Sequence, residues 1–235
     1  MARSILRRFP KGTPDYVKYE KVVNEFIKHL EDSEGIPSYL KCARKIDTHS
    51  NSIFKIMATD SKLRAKIHFA IAKRIQEMDE EDFLNSLSGA YPPEIRREID
   101  KRLMKIILSH LEGHTGEIAS VTPLITQLGI DFKTYQRLIK LYPSFHKEID
   151  KVVGFQIFSL KPEEFLNSYR KRTCVSEGIR QAIELYLQTI IIRKMYFSRE
   201  YHYTVAARAL GINKRTVRRL KQKYPIFSFI IKIEE

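Results

Sequence analysis

Apolar residues recur along the chain at helical spacing. In "EIRREIDKRLMKIILSHL" (94–111), Ile95, Ile99, Leu103, Ile106 and Ile107 form an i, i+4, i+8 stripe that follows Pro92 and Pro93 and stops before Gly113. "DYVKYEKVVNEFIKHLED" near the N-terminus and "SEGIRQAIELYLQTIIIRKMYF" (176–197) read the same way, the latter with Ser176 as a natural N-cap. No stretch alternates with period two, so the pattern predicts an all-α protein.

The pattern also repeats over a longer distance. "TPLITQLGIDFKTYQRLIKLYPSFHKEIDK" (122–151) aligns without a gap on "TVAARALGINKRTVRRLKQKYPIFSFIIKI" (204–233), an offset of 82 residues. Leu128, Gly129 and Ile130 fall on Leu210, Gly211 and Ile212, and Tyr142, Pro143 and Phe145 fall on Tyr224, Pro225 and Phe227. The same offset brings "EEDFLNS" (80–86) onto "PEEFLNS" (162–168). A further step back reaches "CARKIDTHSNSIFKIMATDSKLRAKI", where Ile53, Ile56, Leu63 and Ile67 answer Tyr135, Leu138, Phe145 and Ile149, with Asp47 in place of the glycine. The expected organisation is three tandem helical repeats of 82 residues, over 1–78, 79–160 and 161–235.

Within the third repeat, 204–223 satisfies what two helices joined by a tight turn require. Ala206 and Ala207 permit close helix contact, Gly211 can take the left-handed conformation, and Val217 and Leu220 hold the second helix onto the first. The opposite face carries Asn213, Lys214, Arg215, Arg218, Arg219 and Gln222. "AARALGINKRTVRRL" with the following "YPIF" resembles the helix-turn-helix superfamily, and more narrowly its trihelical forms in transposases, resolvases and phage small-terminase subunits. The resemblance covers roughly 30 residues per copy and implies DNA binding rather than a particular biological process.

Arginine can pair two donors with guanine, and asparagine or glutamine can do likewise with adenine. Asn213, Arg215, Arg218, Arg219 and Gln222 are therefore candidates for base contact, with Lys214, Lys221 and Lys223 on phosphates. The second repeat offers Lys133, Gln136, Arg137 and Lys140, but also an acid, Asp131, and an aromatic, Phe132, which point to a weaker reader, a spacer or a protein contact. The first offers His49, Ser50, Asn51 and Lys55 beside Phe54, with Lys41, Arg44 and Lys45 on the preceding helix. Arg3, Arg7 and Arg8 could extend the contact as a basic arm, a role favoured with a plain solvated tail over a transit peptide.

Charge supports a polyanionic partner. The formal net charge is +14 and the pI about 9.7. By segment the balance is +7 (16 cations, 9 anions) for 1–78, −2 (10 and 12) for 79–160, and +9 (16 and 7) for 161–235. The two cysteines, Cys42 and Cys174, suggest neither disulfides nor a zinc knuckle, so a reducing compartment is expected, cytoplasmic or nuclear. The longest apolar run, 183–192, is too short for a membrane span and is broken by Gln188.

No phosphate-binding loop, dinucleotide fingerprint or nucleophile elbow is visible. His110 and His114 have an i, i+4 spacing, but Gly113 lies between them and no third ligand is placed by sequence. Tyr201 and Tyr203 lack the Arg-His-Arg setting of a recombinase. The expectation is a non-enzymatic, cofactor-independent binder of double-stranded DNA, a monomer or dimer, acting in transcription or in maintenance of a phage or mobile element. Two alternatives stay open: a small-terminase-like oligomer that recruits an ATPase, and an RNA- or protein-binding helical scaffold.

Overall fold

The computed structural model describes residues 15–87, 91–170, 176–199 and 202–224. Among these residues the chain forms thirteen α-helices and no strand, so the protein is all-α as the periodicity predicts. The candidate arm residues Arg3, Arg7 and Arg8, and also Cys174, Tyr201, Pro225 and Phe227, lie outside the described residues.

The helices are α1 (Asp15–Glu31), α2 (Tyr39–Lys45), α3 (Ser50–Thr59), α4 (Ser61–Glu77), α5 (Glu80–Asn85), α6 (Pro93–Glu112), α7 (Val121–Gln127), α8 (Phe132–Leu141), α9 (Pro143–Ser159), α10 (Pro162–Arg170), α11 (Glu177–Ser198), α12 (Tyr203–Ala209) and α13 (Lys214–Lys223). Three of them, α2, α7 and α12, have 7 residues each and start at 39, 121 and 203. Another three, α3, α8 and α13, have 10 residues each and start at 50, 132 and 214. Both α4 and α9 run for 17 residues, from 61 and 143. Each of these starts is 82 residues from its counterpart. Met78 and Leu160 are the C-caps of α4 and α9.

The chain divides into two compact units, 1–106 with 128–130, and 107–127 with 131–235, so that α6 contributes to both. In the first unit α1 packs on α4. Val23, Phe26 and Leu30 of α1 and Leu63, Ile67 and Ile75 of α4 are fully buried. Arg74 donates to the Ser33 carbonyl at 3.1 and 2.8 Å, tying α4 to the loop after α1. Arg102 is buried, its Nη2 donating to the Met78 carbonyl and its guanidinium lying 4.7 Å from the Phe83 ring centre.

In the second unit α9 packs on α11. Ile149, Val153 and Ile157 of α9 and Ile179, Ile183, Leu187, Ile190 and Ile191 of α11 are buried. Ser176 caps α11 as its sequence position predicts, accepting from the Ile179 amide at 3.2 Å. Phe165 of α10 is fully buried beside Tyr169 and Tyr186, with ring centres at 6.0 and 4.7 Å. This aromatic group ties α10 to α11.

Candidate nucleic-acid interface

Two helices meet through α12, a short turn and α13. Ala206, Ala207 and Ile212 are buried at the helix crossing, and Val217 and Leu220 face inward from α13. The turn closes by hydrogen bonds from the Gly211 amide to the Arg208 carbonyl (2.8 Å) and from the Ile212 amide to the Ala207 carbonyl (2.9 Å). Gly211 has φ +70°, a conformation that disfavours any side chain. Two contacts from α10 brace the pair: Arg170 donates to the Leu210 carbonyl at 3.1 Å, and the Tyr169 and Thr216 hydroxyls lie 3.3 Å apart.

The same turn geometry occurs at two other points. Gly129, between α7 and α8, has φ +66°. Asp47, between α2 and α3, has φ +49°, and the Thr48 amide bonds the Ala43 carbonyl at 2.9 Å as Ile212 bonds Ala207. Aspartate is among the few residues with a side chain that tolerate this region, so loss of the glycine does not abolish the turn.

The candidate contact residues of α13 separate into groups. Lys214, Arg215, Arg218 and Gln222 are exposed on one side of the helix. Asn213 is the N-cap, its Oδ1 accepting from the Arg215 amide at 2.8 Å, and this ties down part of the carboxamide expected to read a base. Lys221 has its Nζ 5.5 Å from the Tyr203 ring centre. Arg219 and Lys223 are held by a residue that sequence reasoning missed. Glu184 of α11 is 1% exposed; its Oε1 lies 3.1 Å from Arg219 Nε, and its Oε2 lies 2.9 Å from Lys223 Nζ and accepts from the Tyr224 hydroxyl at 3.0 Å. Lys223 also reaches Glu177 Oε1 at 3.4 Å. The hydrogen bond with Glu184 raises the Lys223 amine above its ordinary pKa, and the bond with Lys223 lowers the Glu177 carboxyl. The available signal was one acid inside an otherwise apolar helical run.

On α8, Lys133, Gln136 and Lys140 are exposed and Arg137 is half-buried. Asp131, expected to oppose phosphate, has a local task as N-cap, accepting from the Lys133 amide at 3.3 Å. Phe132 is 47% exposed, its ring centre 6.2 Å from that of Tyr135, whose phenol is pushed up to about 12, first by burial and then by Asp150. On α3, Asn51 and Lys55 are exposed, Ser50 is half-buried, and His49 occupies the N-cap position without a side-chain cap bond. Phe54 is 42% exposed with its ring centre 5.0 Å from Tyr39. The α3 face is therefore more apolar than that of α13.

Helix electrostatics sharpen the contrast. The first turns of α5 (Glu80, Glu81, Asp82), α10 (Glu163, Glu164) and α11 (Glu177) carry acids that complement the helix dipole. The first turns of α3, α8 and α13 carry none. In α13 two cations, Lys214 and Arg215, start the helix instead, an arrangement that costs about 0.3–1 kcal/mol per charge at a helix N-terminus and suits an external anion.

No group of three or more His, Cys, Asp or Glu residues able to hold a metal occurs among the described residues. His114 lies 3.5 Å from Glu117, and α6 ends at Glu112, before the Gly113 that separates the two histidines. No helix among the described residues is long and apolar enough to cross a membrane. No protein-family model, curated protein or solved structure matches the chain at a significant level.

Proposed function

We propose that this protein binds double-stranded DNA sequence-specifically through three tandem helix-turn-helix units, α2–α3, α7–α8 and α12–α13. The observation that carries the reading is α13, a 10-residue helix with six cations and no acid, its apolar side buried and its first turn without a carboxylate. A helix of this kind presents Lys214, Arg215, Arg218 and Gln222 to the major groove, while the N-terminal amides and Lys221 meet phosphates. The equal helix bounds at steps of 82 residues and the three left-handed turn residues support one unit used three times.

The copies differ in chemistry and hence in task. The third is the principal reader. The second, net acidic and with Phe132 exposed, sets spacing or meets a protein partner while Lys133 and Gln136 touch a few base pairs. The first adds Asn51 and Lys55. Linking the units raises the effective concentration of the weaker readers, so one chain covers an extended site without dimerising. Such a protein serves transcriptional regulation or maintenance of a phage or mobile element.

Displacement of a labelled duplex by unlabelled competitors tests the nucleic-acid class. RNA recognition uses bases stacked on exposed aromatics, whereas the α13 face offers cations, so duplex DNA should displace the label at a concentration about tenfold or more below that of an RNA of equal length. Equal or stronger displacement by RNA would favour the RNA-scaffold alternative.

A further inference from the structure

Glu184 stands in the middle of α11 among Ile183, Leu187, Ile190 and Ile191, where an unpaired carboxylate would be strongly destabilising. Its partners all come from the last part of α13 and the residue after it: Arg219, Lys223 and Tyr224. Two of the six α13 cations thus answer an internal anion.

We propose that Glu184 is a specificity-determining positioning residue: it withholds Arg219 and Lys223 from DNA phosphate and sets the orientation of α13, so that base reading falls to Arg215 and Arg218. The proposal rests on the DNA-binding reading of α13. Its logic is that phosphate contacts add affinity for every sequence alike, whereas base contacts discriminate. A recognition helix with two cations neutralised from behind keeps its direct readout and sheds part of its indiscriminate attraction. Removing the buried charge while keeping the side-chain volume should reverse this balance.

The experiment measures binding of the full chain to a specific and to a random-sequence duplex over a range of salt concentrations. In Glu184→Gln the two released cations reach phosphates, and the slope of log affinity against log salt steepens by about one to two. Random-sequence binding tightens and the specificity ratio falls. In the otherwise wild-type chain, Lys223→Gln and Arg219→Gln leave the slope nearly unchanged, whereas Arg218→Gln reduces affinity for the specific duplex. The gentler pair of variants carries the test if Glu184→Gln unfolds, as its helical circular dichroism would show. An unchanged slope in a folded Glu184→Gln overturns the proposal, as does a slope reduced by about one in Lys223→Gln or Arg219→Gln. Failure of the wild-type chain to bind any duplex overturns the underlying DNA reading and the proposal with it. A Lys223 amine that acetylates faster in Glu184→Gln would show that the tether itself is real even then.

Discussion

Replacing Arg215 and Arg218 together with alanine is expected to weaken binding to the protein's own duplex site by about a hundredfold or more, because each well-placed bidentate contact to a base contributes ~1–3 kcal/mol of discrimination. Both residues are exposed on the same helix as the buried Val217 and Leu220, so their removal leaves the apolar contacts of α13 in place. Helical content and thermal stability should therefore change little, and binding to random-sequence DNA should fall far less than binding to the specific site. Alanine at Lys133, Gln136 and Arg137 should cost markedly less, since α8 has an aspartate at its N-cap and a weaker cationic face. Titration of a labelled site by anisotropy measures all of these, and equal losses from the two sets would contradict the ranking of the copies.

The second large effect is on stability. Phe165→Ala should destabilise the protein by about 3–5 kcal/mol, the usual result of emptying a buried phenylalanine site. Phe165 is fully buried with the Tyr186 ring edge-on at 4.7 Å and the Tyr169 ring stacked at 6.0 Å, so its loss removes aromatic contacts on both sides. The consequence extends to the candidate interface. Tyr169 meets Thr216 and Arg170 holds the Leu210 carbonyl, and a loosened α10 relaxes both braces. Urea denaturation should show a lower midpoint, and DNA affinity should fall for specific and random sequences together. That pattern distinguishes a supporting residue from Arg215 and Arg218.

Much of the helical layout was legible because it depends on local rules. The stripe of Ile95, Ile99, Leu103, Ile106 and Ile107 is buried on α6, and the glycine at 211 takes the positive φ that its place between two helices demands. Ser176 caps α11 as a serine before an apolar run should. The matched "FLNS" segments each place a fully buried phenylalanine, Phe83 and Phe165. Asp47 was harder to read, because aspartate reaches the left-handed region less readily than glycine and signals the turn less clearly.

Long-range polar pairing was not legible. Lys223 and Glu184 are 39 residues apart, and periodicity assigns residues to faces without stating which side chains meet across helices. Arg219 therefore reads from sequence as equivalent to Arg218, and both are exposed, although the fold brings Arg219 Nε to 3.1 Å from a buried carboxylate. Capping had a similar effect. Asn213 reads as a base-contact group and Asp131 as an acid that weakens the second copy, whereas each satisfies a backbone amide of its own helix.

Selection of bound duplexes from a random pool about 40 base pairs long, at roughly physiological salt where indiscriminate phosphate binding is weakened, tests the central claim most directly. One chain reading DNA through tandem units predicts an extended enriched motif of two or three blocks, with the strongest block lost in the Arg215→Ala, Arg218→Ala double variant. Recovery of no enriched motif would contradict sequence-specific recognition and return the basic face of α13 to indiscriminate nucleic-acid contact or assembly.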